Sequence, residues 1–351
     1  MQPFILDQPA YRVIFGVGTL ERLPEEVTRV GASRALVVST PAEIRLAEDA
    51  TRRLGAAAAG MFTEAVMHHP IEVVHAARQR AHDVDADCYV TIGGGTTTGT
   101  GKLIALETGR PVIAVPTTYA GSEMTPIYGV TEGGVKRTGR DRKVLPRTVI
   151  YDPALTVSLP PQVSGPSGMN AMAHCVEALY AHDGNPIVTL MAAEGIRALV
   201  RSLPVVVTQP EDLEARSDAL YGAWLAGLVL GQAAMGIHHK LCHTLGGTFN
   251  LPHAEVHTVV LPHATAYNRD FAPAAMRIAA EALGARDAAQ GIFDLIATIG
   301  APRALKDIGM PADGIESAAE LATQNQYPNP RPIEIGPIRE LLRNAYEGRR
   351  P

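Results

Sequence analysis

Over residues 1–150, short β-branched runs alternate with amphipathic segments. That rhythm predicts a parallel sheet with helices packed on its faces. The spacing of apolar positions gives strands over 36–39, 88–92, 111–115 and 147–151, and helices over 41–54, 73–84 and 97–106. A hairpin is expected around Thr131-Glu132-Gly133-Gly134, where paired glycines can take positive φ.

Beyond Leu159-Pro160-Pro161 the texture changes to long Ala- and Leu-rich segments of helical period. Segments 187–203 and 213–235 are apolar around most of their circumference, the mark of interior helices in a bundle. The expectation is an α/β dinucleotide-binding domain with a Rossmann-like parallel sheet over 1–160, and an all-α helical domain over 161–351, with the active site in the cleft between them. The longest apolar stretch, 223–237, is broken by Gly227, Gly231 and Gln232, and 1–10 lacks a basic region followed by an apolar core. No export signal or membrane span is expected.

Composition sharpens this picture by exclusion. The 351 residues are 46% hydrophobic and 19% charged, an ordinary folded composition with room for two cores. A net charge of -5 and the absence of a Lys/Arg stripe argue against a nucleic-acid partner; the basic stretch 136–147 reads as a solvated loop. Cys88, Cys175 and Cys242 are far apart and form no CxxC pair, so a reducing cytoplasm fits best.

Chemistry enters at Thr91-Ile92-Gly93-Gly94-Gly95-Thr96, a glycine run between a predicted strand and a predicted helix. Backbone N–H groups there can converge on a phosphate, although the run is not the usual GxGxxG pattern. A second polar loop, residues 116–123 with Thr117, Thr118 and Ser122, leaves the next strand on the same sheet edge, so the two line one crevice suited to a dinucleotide. After the first of the predicted strands stand Ser39 and Thr40 where a carboxylate would bind the adenosine ribose. Both NADH and NADPH are therefore expected to be accepted.

The second constellation is histidine. His239 and His243 share one helix face, Asn170 and His174 share the same i, i+4 spacing, and His253 follows Pro252. Buried together in apolar helices, these groups need a shared purpose. Three histidines with a carboxylate would suit zinc or divalent iron, but the fourth position is Asn170, which carries no charge. His68, His69, His75, His82, His182, His257 and His263 show no comparable pairing and are read as ordinary, with His69 near the expected cofactor edge.

In order along the chain, these motifs resemble the iron-containing (group III) alcohol dehydrogenases. The family's GGGSxxDxxK matches Gly93 to Lys102; its PTT…GSE loop, Asp-Pro turn, GxDAxxH, HxxxHxxG and Pro-His match Pro116–Glu123, Asp152-Pro153, Gly168–His174, His239–Gly246 and Pro252-His253. Gly99 and Asn170 stand where the family has Asp. Both departures resemble a metal-free branch that reduces the conjugated double bond of maleylacetate to 3-oxoadipate in the degradation of aromatic compounds.

The resemblance implies a dehydroquinate synthase-like architecture and a homodimer. It places Gly94, Gly95, Thr96 and Thr97 at the pyrophosphate, Thr117, Thr118 and Lys136 further along the cofactor, and Leu155 and Thr156 at another cofactor contact. Metal ligands of relatives correspond to Asn170, His174, His239 and His253, and His243 to the histidine beside the nicotinamide. The implied substrate is a small anionic dicarboxylate, chlorinated or not, with NADH or NADPH and no metal. The competing expectations are a metal-dependent alcohol or polyol dehydrogenase, a non-catalytic nucleotide-binding protein, and a lyase of the dehydroquinate synthase type.

Overall fold

The computed structural model describes Leu6 and residues 11–133, 135–324 and 326–351, with the backbone alone at 135 and 136. The segment 1–10, read above for an export signal, lies outside the described residues apart from Leu6. The chain divides into two compact units, one ending at Ser158 and the other comprising Leu6 and the residues from Leu159 onward.

The first unit contains β1 (Arg12–Phe15), α1 (Leu23–Arg29), β2 (Ala35–Val38), α2 (Ile44–Leu54), β3 (Ala58–Phe62), α3 (Ile71–Asp83), β4 (Cys88–Gly93), α4 (Gly95–Thr108), β5 (Val112–Pro116), the antiparallel hairpin β6 (Ile127–Glu132) and β7 (Val135–Arg140), and β8 (Thr148–Tyr151). Six strands form one parallel sheet in the order β1-β8-β5-β4-β2-β3. Alternate residues serve opposite faces, as the pleat requires. Val37, Val90, Ile92 and Ile113 join Leu23 and Val27 in one core, and Leu36, Val38 and Tyr89 join Ala77 and Ile104 in another. With both faces covered, β2 reads Ala-Leu-Val-Val and is buried at every position.

From β2 the chain runs outward to β3, then returns past β2 to β4 and onward to β5 and β8. The direction of winding therefore reverses between β2 and β4. At such a reversal the loops leaving the two strands diverge and open a crevice at their carboxyl ends.

The second unit is helical: α5 (Pro161–Leu179), α6 (Pro186–Thr208), α7 (Leu213–Gln232), α8 (Ile237–Phe249), α9 (His253–Asn268), α10 (Pro273–Leu283), α11 (Ala288–Thr298), α12 (Gly314–Thr323) and α13 (Ile335–Glu347). The parallel sheet and helical second half match the expected fold. The helix expected over 213–235 stops at Gln232, and α8 leaves after a bend of 97°. At the N-cap of α8, a Cβ on Gly236 would sit 3.1 Å from Asn329 Oδ1 and 3.2 Å from Glu177 Oε1, so glycine lets the backbone pass close to both. Among the described residues, no single helix is long and apolar enough to cross a membrane.

Candidate active site

The glycine run crosses from β4 into α4 at the winding reversal. Gly93 has φ +148°, and a Cβ on it would overlap Glu43 and Thr97. Gly94 is the extended N-cap of α4 and no side chain caps it, which leaves the first-turn N–H groups of the helix for an anion. The neighbouring loop closes in: Thr117 N–H donates to the Gly93 carbonyl at 3.1 Å, and a Cβ at Gly94 would lie 3.0 Å from the Thr118 side chain. A cradle that only glycine backbone can line, at a helix N-terminus beside a hydroxyl-bearing loop, fits the pyrophosphate of a dinucleotide.

One expectation is corrected here. The short turn Pro41–Glu43 after β2 folds the Glu43 carboxylate back over the strand ends, so the crevice does contain a negative charge. Its oxygens accept from the hydroxyls of Thr117 at 2.7 Å, Thr40 at 2.9 Å and Thr97 at 3.4 Å. Three hydroxyls expected at the cofactor are thus gathered around one carboxylate. Ser39 is fully buried with its hydroxyl on the Thr40 carbonyl, and Thr156 is fully buried with its hydroxyl on Pro153. Leu155 packs against the sheet core, and the Lys136 side chain lies outside the described atoms.

Lys102, the lysine of the same motif, is fully buried in α4. Its ammonium donates to the Ser122 and Ile127 carbonyls and to Thr125 Oγ1, pinning the loop that carries Ser122. Burial pulls its pKa down to about 7, against a smaller upward pull from Glu123. Glu123 is itself pushed up by burial and accepts the Tyr151 hydroxyl at 2.8 Å.

In the helical unit, α5, α8 and α9 bring six imidazoles into one network. His174 stacks on His239 with centroids 5.0 Å apart, and His239 meets His257 at 4.9 Å and His243 at 6.1 Å. His257 meets His238 at 4.8 Å and His253 at 4.3 Å, and His253 stacks on His243 at 6.5 Å. His243 and His253 lie on the exposed face of this unit, with His174, His238, His239 and His257 buried behind them. Burial, reinforced by neighbouring imidazoles, holds His174, His239 and His257 well below the usual histidine range and His238 at about 4. These four rings are therefore neutral at pH 7.

His257, set aside on sequence, and His238, given no role there, belong to the cluster. His257 sits one turn past His253, the same i, i+4 spacing as the recognised pairs, and His238 precedes His239. The group that sequence reasoning missed entirely is Glu177, one turn past His174 on α5 and fully buried. Its Oε2 accepts His239 Nδ1–H at 2.6 Å, and its Oε1 accepts the His238 backbone N–H at 2.9 Å and the Tyr180 hydroxyl at 3.0 Å. The carboxylate thus caps the N-terminal turn of α8, where the helix dipole favours negative charge, and holds the ring of His239 at the same time. With Nδ1 protonated, His239 turns a bare Nε2 to the cluster.

Several buried atoms there have no hydrogen-bond partner: Asn170 Oδ1, His174 Nδ1, His239 Nε2, and both ring nitrogens of His257. Buried polar atoms of this kind mark a place for a ligand or water. The donor set differs from the family's metal centre, however. Among the described residues, the three that bring one ring nitrogen each within 4.8 Å of the others are His238, His239 and His257, and of these only His239 is among the four positions matched to metal ligands. Among the described residues no carboxylate joins them, and Glu177 is engaged by His239 Nδ1 and the α8 N-terminus. Neutral imidazoles can ligate zinc, but the Asn170 amide brings no charge where the family pattern has an aspartate.

Comparison with known proteins agrees with the motif order. Residues 9–153 match the family model for iron-containing alcohol dehydrogenase, and residues 165–346 match the C-terminal model of the Fe-containing alcohol dehydrogenase family. A maleylacetate reductase from Burkholderia cepacia is 58% identical over 351 residues, covering all of both chains. Another from Sphingobium indicum is 56% identical over 99% of each chain. The crystal structure of maleylacetate reductase from Agrobacterium tumefaciens superposes with a TM-score of 0.97 at 52% identity over both full chains. With both halves matched in order and full-length relatives above half identity, the chain belongs to the iron-containing alcohol dehydrogenase family of oxidoreductases.

Proposed function

We propose that the chain reduces the conjugated carbon–carbon double bond of maleylacetate to 3-oxoadipate with NADH or NADPH, and that it does so without a metal ion. The observation that carries the reading is the donor set of the histidine cluster, in which an amide and neutral imidazoles stand in place of an anionic ligand. Full-length relatives bearing the name maleylacetate reductase support the substrate.

Reducing an isolated ketone concentrates charge on one oxygen, which favours a Lewis acid. In maleylacetate the alkene is conjugated to the ketone, so the pair displaced from C=C spreads into an enolate, and hydrogen-bond donors suffice to stabilise it. The bound dinucleotide supplies the hydride. The glycine cradle with Thr97, Thr117 and Thr118 binds and orients it; N–H groups of His174 and His253 are assigned to the enolate oxygen and the substrate carboxylates. His239, fixed by Glu177, and Asn170 set the geometry of that donor array. His243, on the exposed face, delivers the proton that completes the reduction at carbon. The buried, free thiols of Cys88, Cys175 and Cys242 support a reducing cytoplasm, and the family supports a homodimer.

The test is NADH oxidation, followed by absorbance, with freshly prepared maleylacetate on wild-type protein and His243→Ala. Robust turnover that falls by about 100-fold or more in the variant is expected from loss of a general acid. Turnover confined to simple alcohols and aldehydes would remove the reading.

A further inference from the structure

Gly99, the departure from the family's GGGSxxD pattern, is filled from outside the motif. A Cβ built on Gly99 would overlap the imidazole of His69, whose Nε2, Cε1 and Cδ2 all crowd that point. The ring reaches in from the loop between β3 and α3, and Nε2–H donates to the Thr96 carbonyl in the first turn of α4 at 3.0 Å. A carbonyl can only accept, so Nε2 carries the proton. Where the family pattern writes a carboxylate, this chain places an imidazole from elsewhere in the sequence.

The loop is held there at the expense of backbone comfort. His68 and His69 both have positive φ, +66° and +49°, two consecutive left-handed residues with no glycine between them. Such a pair persists only where its surroundings over-determine it. Here the hairpin does so from the other side: Thr131 N–H donates to the His69 carbonyl at 3.0 Å, and the Thr131 hydroxyl to the His68 carbonyl at 2.7 Å. His69 N–H closes a turn onto the Val66 carbonyl at 3.3 Å. The strained loop is clamped between β6 and the first turn of the helix that opens the glycine cradle.

We infer that His69 is a positioning residue of the dinucleotide site, interlocked with Gly99 and setting the first turn of α4. It puts an N–H donor to the Thr96 carbonyl where the family motif writes a carboxylate. This inference rests on the dinucleotide reading above but not on the identity of the reducible substrate.

Four full-length proteins test it: wild type, His69→Ala, Gly99→Asp, and the double variant. The NADH dissociation constant is read by fluorescence without substrate, thermal unfolding is read alongside, and KM for NADH and kcat are taken where turnover is found. His69→Ala should weaken NADH binding about fivefold while kcat at saturating NADH stays within about twofold, a split that loss of folded protein would not produce. Gly99→Asp should weaken binding and lower the melting temperature, since aspartate and ring compete for one space. In the double variant Gly99→Asp should add almost nothing, the non-additivity expected of residues in contact. An NADH dissociation constant unchanged in His69→Ala, or effects that simply add in the double variant, would overturn the inference while leaving the dinucleotide reading intact. A wild-type protein that binds no NADH would overturn that reading and this role together.

Discussion

The Glu177 carboxylate, with no solvent exposure, accepts the Nδ1–H of His239 at 2.6 Å and so decides which nitrogen of that ring faces its neighbours. Because the same carboxylate also accepts backbone N–H groups at the start of α8, ring orientation and helix position are fixed by one group. Replacing it with glutamine keeps the volume but turns an acceptor into an amide that can present either atom to His239. Glu177→Gln should fold and bind NADH normally while kcat falls about 100-fold, the scale of losing a preorganised donor geometry. Steady-state kinetics with both substrates varied separates this from a binding defect, and an unchanged kcat would show that the ring needs no orienting carboxylate.

Glu43 bears on cofactor choice. A carboxylate at the carboxyl end of β2, hydrogen-bonded by Thr40, Thr97 and Thr117, can accept from a ribose hydroxyl but repels a ribose phosphate. Wild-type protein should therefore favour NADH, and Glu43→Gln should raise the ratio of kcat/KM for NADPH to that for NADH by about tenfold, worth about 1.4 kcal/mol of relieved repulsion. A ratio that stays put would place Glu43 away from the 2′ position.

Buried histidines tie stability to pH. His174, His238, His239, His257 and His263 all have folded-state pKa values depressed by burial below the ordinary 6.5, with His238 and His263 at about 4. The unfolded chain takes up protons on these rings as pH falls below 6.5, while the folded chain does not. Stability should thus be flat above about pH 7 and fall below 6.5, by up to about 1.4 kcal/mol per ring per pH unit. Urea unfolding at pH 7.5 and 5.5 checks this; equal midpoints would mean the rings are protonated in the folded state.

Much of the first unit was legible in the sequence because strands buried on both faces read as unbroken apolar runs, as in Val112–Pro116. β3 escaped because Ala-Ala-Gly-Met-Phe carries no β-branched residue. Glu43 was missed as a crevice group, and His69 was placed near the cofactor edge without a role, for another reason: each is brought there by a tight turn, the three-residue Pro41–Glu43 and the left-handed pair at 68–69, that hydrophobic periodicity cannot register. In the helical unit, i, i+4 spacing found Asn170 with His174 and His239 with His243. The same rule applied to His253 would have added His257, and i, i+3 from His174 would have added Glu177. What spacing could not supply was the crossing of α5, α8 and α9 that makes three separate helix faces one cluster.

The central claim is enone reduction without a metal, and one assay reaches it directly. Protein dialysed exhaustively against a strong chelator, and shown by elemental analysis to hold no stoichiometric iron or zinc, is given NADH and freshly prepared maleylacetate. The account predicts a turnover rate equal to that of untreated protein. Activity that disappears on chelation and returns with added iron or zinc would contradict it.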